Sequence, residues 1–171
     1  KFGFETVEIE PVEIDGELVS STRIRKAVET GDFETARRFL GRDYTILGTV
    51  QTGAGRGHGI GFPTANLSAH NERFPPNGVY AVRVEWRGGR ADGMMNQGGR
   101  PTFQQAERSL EVHLLDHAGD LYGEWLKVEW VARLRDVRRF PSLDALRAQL
   151  ERDRSSARAA LAAPATGTLS T

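Results

Sequence analysis

The sequence predicts a mainly β domain, a small antiparallel barrel or sandwich with one C-terminal helix, preceded by two short helices. Three observations carry this. From Tyr44 the apolar residues stop recurring at helical spacing and begin to alternate. Glycine-rich turn sequences separate the alternating runs, and a single helical stripe returns only after Pro141.

The elements follow in order. Residues 1–20 hold six acidic residues and one lysine, with a strand-like run TVEIEPVEI. Ser20 and Ser21 are placed to cap a helix through Arg25 and Val28 that Gly31 stops. Asp32 caps a second, with Phe33, Ala36, Phe39 and Leu40 on one face and Gly41 as its stop. These two helices bury too little to form a domain, so residues 1–43 are expected to be the end of a preceding module. The candidate strands are Thr45–Val50, Val79–Trp86, Ala91–Asn96, Leu110–Leu115 and Trp125–Leu134. In the last of them Leu126, Val128, Trp130, Ala132 and Leu134 share a face. Gly88-Gly89 and His117-Ala118-Gly119-Asp120 supply turns. Pro141-Ser142 opens the closing helix, with Ser142 as cap and Leu143, Leu146 and Leu150 as the expected buried stripe. The barrel domain is expected to span residues 44–160, and the small, polar stretch 161–171 to be a disordered tail.

Composition narrows the function classes. A chain of 171 residues can bury one proper core and carry a smaller appendage. Its 39% apolar and 27% charged residues are those of a globular protein. With 23 basic and 23 acidic residues the net charge is zero, which argues against a nucleic-acid or membrane partner drawn in by basic excess. The absence of cysteine excludes disulfides, thiol catalysis and Cys-ligated zinc, and a reducing cytoplasm is the expected setting. No apolar run approaches the roughly 18 residues that cross a bilayer. The opening KFGFETVEIE has neither the basic nor the apolar part of a signal peptide, and its lack of an initiator Met suggests a piece of a longer chain.

Three motifs carry chemistry. In GTVQTGAGRGHGIGFPTANL, residues 48–67, glycine stands at 53, 55, 57, 59 and 61. Backbone amides unobstructed by side chains suit an anion such as a phosphate, although a merely flexible loop has the same composition. No Gly-Lys-Ser/Thr closes it as a P-loop, and no register gives the dinucleotide fingerprint. Next, Pro63-Thr64-Ala65-Asn66 sets a hydroxyl and a carboxamide two positions apart, on the same side of an extended chain. Such neutral oxygens beside bound phosphates suit Mg²⁺; the alternative is turn capping. Third, alternation in SLEVHLLD, residues 109–116, puts Leu110, Val112 and Leu114 on one face and Glu111 and His113 on the other. Glu111 could face a cavity as a general base or simply face solvent. The four histidines show no metal-ligand grouping.

Taken together, GFPTANL, NGVYAV, GMMNQGGRPTF, SLEVHLLD, GDLYGE and RLRDVRRFPSLDALRAQL occur in an order that resembles the flavokinases. They are similar above all to the C-terminal module of bacterial bifunctional riboflavin kinase–FAD synthetases, over roughly residues 44–158. The resemblance implies a closed six-stranded antiparallel Greek-key barrel with a C-terminal helix. It also implies transfer of the ATP γ-phosphoryl group to the riboflavin 5′-hydroxyl, giving FMN and ADP with Mg²⁺ as cofactor. A barrel that binds flavin or nucleotide without turnover is the alternative. By the same resemblance Thr64 and Asn66 are the Mg²⁺ ligands, and Gly53, Gly55, Arg56, Gly57, Gly61 and Pro63 belong to the ATP phosphate loop. Glu111 is implied as catalytic base, Asp116 and Tyr122 as nucleotide-side residues, and Arg135, Arg138 and Phe140 as a flap beside the flavin. Two departures stand out: His58-Gly59 where relatives carry a basic pair, and Met94, Met95 and Gln97 where small or branched residues are commoner. VSSTRIR, residues 19–25, resembles the last motif of the adenylyltransferase module, whose H-x-G-H is absent. A longer parent protein is therefore expected to hold that module in cis and to carry FMN on to FAD.

Overall fold

The structure is a computed structural model that describes residues 10–53, 58–69, 73–99, 108–117 and 119–162, with Gly3 and Val7. Its N-terminal part is a small hairpin, β1 (Glu13–Ile14) and β2 (Glu17–Leu18), turned through Asp15 and Gly16. Both turn residues have positive φ, 53° and 75°, which is the demand that Asp-Gly meets in a two-residue hairpin loop. Of the strand-like run TVEIEPVEI, residues 6–14, Glu13 and Ile14 form a strand among the described residues, and Asp15-Gly16 turns the chain back after them.

Helix α1 (Ser21–Thr30) and helix α2 (Phe33–Leu40) have the expected caps. Ser20 Oγ accepts from Arg23 N, Asp32 Oδ1 accepts from Thr35 N, and Gly31 and Gly41 end the helices in the left-handed conformation. The Thr35 amide also holds the Asp32 carboxyl below its usual range. The two helices share a small core of Ala27, Val28 and Ala36, and they are not detached from the barrel. Phe33 meets Tyr80 edge-on at 5.8 Å, and Tyr44 stacks on Trp130 at 5.6 Å.

Six strands close the barrel: β3 (Thr45–Gln51), β4 (Ala65–Ala69), β5 (Gly78–Trp86), β6 (Gly89–Gly99), β7 (Arg108–Leu114) and β8 (Trp125–Arg135). The order around it is β3-β4-β7-β6-β5-β8, with β8 pairing β3 and every pair antiparallel. Three consecutive strands, β5 to β7, are followed by β8 returning beside β5, which is the Greek-key order. Strand β4 is the one the alternation missed, because five residues with only Leu67 fully inward give almost no period. The β5–β6 loop is Arg87-Gly88, one residue before the predicted turn, since Trp86 already pairs Gly89.

Inside the barrel Ile46, Tyr80, Val82, Met95, Val112, Leu126, Val128 and Trp130 form one core. Burial pushes the Tyr80 phenol above its ordinary value, and its hydroxyl donates to the Pro76 carbonyl. The alternation in β8 holds only to Trp130. A register shift makes Val82 pair Trp130 while Ala81 pairs Ala132, and a second falls between Val79 and Tyr80. Ala132 and Leu134 therefore pack with the outer cluster rather than with the interior.

That cluster lies under α3 (Leu143–Ala162), where Phe62, Ala81, Met94 and Leu115 meet Ala157 and Leu161. Ser142 caps the helix, accepting from Ala145 N at 3.1 Å. The expected stripe holds in part: Leu150 packs on this cluster and Leu146 is half-buried, but Leu143 is 69% exposed, and the fully buried positions are Gln149, Asp153, Ala157 and Leu161. A polar partner, Arg135 on β8, is what draws that face inward. The helix also runs to Ala162, past the boundary expected at 160, and buries Leu161. The remainder of the predicted tail, 163–171, lies outside the described residues.

Candidate active site

Two features meet at one end of the barrel. The first is a cleft of about 630 Å³. Thr52, Gly53, Pro63 and Thr64 line one part of it, His117, Asp120 and Tyr122 another, and Val112 and Leu114 reach it from the barrel interior. Gly61, at φ 80°, makes a left-handed turn just before Phe62 and Pro63 that any other residue would adopt with strain. Asp120 Oδ1 accepts the Tyr122 N–H at 2.9 Å, fixing the loop that presents the exposed Tyr122 ring.

The second is a polar row on the outer face of the barrel. Gln51 pairs Asn66, Asn66 pairs Glu111, and Glu111 pairs Asn96. Paired residues on adjacent strands project to the same face, with Cβ atoms about 4.5–5.5 Å apart. Asn66, Glu111 and Asn96 therefore stand side by side on three neighbouring strands. Leu110 and Val112, on either side of Glu111 in the chain, face the core, as the alternation predicts. Glu111 is half-buried, and Ser109 Oγ donates to its Oε1 at 3.0 Å. His113, on the same face, is buried against the Phe62 ring at 5.1 Å. Its Nδ1 lies 2.8 Å from the Pro63 carbonyl oxygen, which can only accept, so Nδ1–H is the donor. This bond ties β7 to the residue before Thr64.

Asn66 joins row to cleft. A Cβ added to Gly53 would lie 1.8 Å from Asn66 Nδ2 and 2.4 Å from its Cγ. The carboxamide thus occupies the space that any side chain at position 53 would need. Thr64 and Asn66 offer a hydroxyl and a carboxamide, both hard neutral donors. Among the described residues no group of three His, Asp or Glu is placed to hold a metal ion by itself. This donor set fits a cation of the Mg²⁺ kind that takes its anionic ligands from phosphates.

The other predicted residues fall in three places. Gly55, Arg56 and Gly57 lie outside the described residues. Asp116 does not line the cleft; it is exposed, with φ 59°, and its Oδ1 meets Arg158 of α3 at 2.7 Å. Arg135 forks onto Asp153, with Nε 2.9 Å from Oδ1 and Nη2 2.7 Å from Oδ2. Arg138 donates to Gln149 Oε1, and both guanidinium groups lie over the Phe140 ring, at 5.6 Å for Arg135 and 5.0 Å for Arg138. Gln149 Nε2 in turn donates to Asp153 Oδ1 at 2.7 Å. Residues 136–140 are therefore strapped to α3 through two buried polar side chains. Sequence reasoning missed Ser109, Asn96, Asp120 and Asp153. Only the i+4 spacing of Gln149 and Asp153 offered a signal, and it points to a helix face without naming its partner.

A family model described as riboflavin kinase, or flavokinase, matches residues 40–161. The chain belongs to the riboflavin kinase family. Among curated proteins it is 44% identical over 163 residues to a Pseudomonas fluorescens relative, covering 95% of this chain and 52% of that protein. A Haemophilus influenzae relative is 39% identical over 160 residues, covering 93% and 52%, and a Bacillus subtilis relative 38% over 175 residues, covering 92% and 55%. All three are named bifunctional riboflavin kinase/FMN adenylyltransferase, and the chain spans about half their length. The crystal structure of a macrolide-efflux protein from Streptococcus pneumoniae superposes with a TM-score of 0.81 at 38% identity, over 88% of this chain and 50% of that one. That likeness supports the fold; the efflux in the name is that protein's own. Among the described residues no helix is long and apolar enough to cross a membrane.

Proposed function

We propose that this flavokinase chain transfers the γ-phosphoryl group of ATP to the terminal ribityl hydroxyl of riboflavin, yielding FMN and ADP. The observation that carries the reading is the β4–β7 register, which sets the Glu111 carboxylate beside Asn66, itself packed over Gly53 in the nucleotide cleft. Loop amides around Gly53 and Gly61 would hold phosphate oxygens, and Thr64 and Asn66 would hold Mg²⁺. When bound, Mg²⁺ neutralises charge on the phosphates. Tyr122, which lines the cleft, flanks the nucleotide, and Arg135, Arg138 and Phe140 are assigned to the flavin by the family resemblance alone.

Glu111 accepts a hydrogen bond from the attacking hydroxyl and aligns its oxygen with the γ-phosphorus. The new O–P bond forms as the bond from phosphorus to the β–γ bridging oxygen breaks, and the proton passes to Glu111 late, since a carboxylate is too weak a base to ionise an alcohol beforehand. Ser109 holds Oε1 of Glu111, leaving Oε2 for the substrate. His113 fixes the backbone from which Thr64 projects. Each residue contributes position and electrostatics, which is what phosphoryl transfer requires.

The test is incubation with riboflavin, ATP and Mg²⁺ followed by separation of the flavins. FMN in excess over enzyme supports the reading; bound but unconverted riboflavin supports a non-catalytic binding module. We also infer that the parent protein adenylylates FMN to FAD through the half of the relatives that this chain does not match. The chain supplied with FMN, ATP and Mg²⁺ then yields no FAD, and steady FAD production would place a second nucleotide site within these residues.

A further inference from the structure

Resting on the same reading, we propose that Asn96 is the residue that recognises the polyol chain of the acceptor, hydrogen-bonding a ribityl hydroxyl next to the one that is phosphorylated. The register puts Asn96 directly beside Glu111, on the side away from Asn66. Glu111 thus has the cation-side carboxamide on one flank and a second carboxamide on the other. Asn96 is half-buried, and among the described residues its carboxamide has no hydrogen-bond partner. A carboxamide carries both donor and acceptor, which matches a hydroxyl in either orientation. A base aligned to one hydroxyl of a vicinal polyol needs a second contact to keep the neighbouring hydroxyl from taking its place, and Asn96 is one strand spacing away.

The surface beside it is open. Gly98, two residues on and on the same face, pairs Ser109, and a Cβ built there meets nothing within 4 Å. Two rows, Gly98–Ser109 and Asn96–Glu111, therefore bound a strip bare enough for an extended chain to lie against the sheet. On the other side of Asn96 its partner Val79 is 4% exposed and pairs Arg135, the root of the 136–140 strap.

The experiment compares binding of riboflavin with binding of lumiflavin, the same ring without a ribityl chain, by quenching of flavin fluorescence. Asn96→Ala is expected to weaken riboflavin about 5- to 10-fold, the worth of one neutral hydrogen bond, and to leave lumiflavin unchanged. Asn96→Ser, which keeps a donor and an acceptor, is expected to recover part of the loss. Gly98→Val is expected to weaken riboflavin while the melting temperature holds, because it fills the strip and not the core. Equal losses for both flavins, or no loss for either, would overturn the assignment. Turnover of the wild-type chain is measured separately: its absence would sink the kinase reading, whereas turnover with no discrimination between the flavins would sink Asn96 alone.

Discussion

Gly53→Ala adds one methyl group, and the structure says what it must displace. The new Cβ would sit 1.8 Å from Asn66 Nδ2, 2.4 Å from Cγ and 2.9 Å from Oδ1, so the carboxamide has to leave its present rotamer. The backbone does not object, since Gly53 is not among the glycines at positive φ. Alanine restricts the unfolded chain, which favours folding by about 0.4–1 kcal/mol. Turning a half-buried Asn66 to another rotamer costs about 0.5–1.5 kcal/mol. These nearly cancel, and the melting temperature is expected to move by only a few degrees. Nucleotide binding has no such compensation. Losing one neutral oxygen from a charged ligand costs about 1.5–3 kcal/mol, roughly a 10- to 150-fold rise in the Kd for MgATP. Calorimetric titration with MgATP measures it. The same substitution in an Asn66→Ala background should cost nothing further, because the space is then free. Wild-type affinity in Gly53→Ala, or additive losses in the double variant, would refute the link between Gly53, Asn66 and the nucleotide.

Three further outcomes are expected. Glu111→Gln should lower kcat by about 10²–10⁴-fold while riboflavin and MgATP still bind; a variant keeping more than about half the wild-type rate would remove Glu111 from the reaction. Thr64→Val should weaken MgATP far more than metal-free ATP, and equal losses in titrations with and without Mg²⁺ would make 63–66 a structural turn. Asp153→Ala leaves Arg135 without its forked partner and should destabilise the fold by about 3 kcal/mol. In thermal melts that is a fall of roughly 6–12 °C for a domain of this size, and an unchanged melt would show that the α3 strap is dispensable.

What the sequence made readable was local. Caps at Ser20, Asp32 and Ser142 depend on residues three or four apart, and all three are where the chain predicts them. Alternation told Glu111 from Val112 because the two faces of a strand differ every second residue. It failed at Trp130, where a bulge that depends on β5 shifts the phase, and a single strand carries no record of its neighbour's curvature. On α3 the helical stripe of leucines failed at Leu143 and gave no hint of Asp153. Hydropathy sends leucine inward and aspartate outward, and only the arrival of Arg135 from the barrel reverses that order.

The same distinction decides how the site could be read. The residue types of 61–67 and 109–116 can be recognised along the chain, but the neighbours of Glu111 cannot, because Asn66 and Asn96 reach it only through barrel register. Register is set by the whole closed sheet, since moving one strand by one residue sends its inward set outward. In β7 such a slip would turn Leu110, Val112 and Leu114 to solvent and Glu111 into the core. The buried face of the barrel therefore fixes the polar face opposite it: burial of these three side chains holds Glu111 between two carboxamides. A substitution that weakens that packing, at Val112 for example, should for this reason reduce turnover before it unfolds the chain.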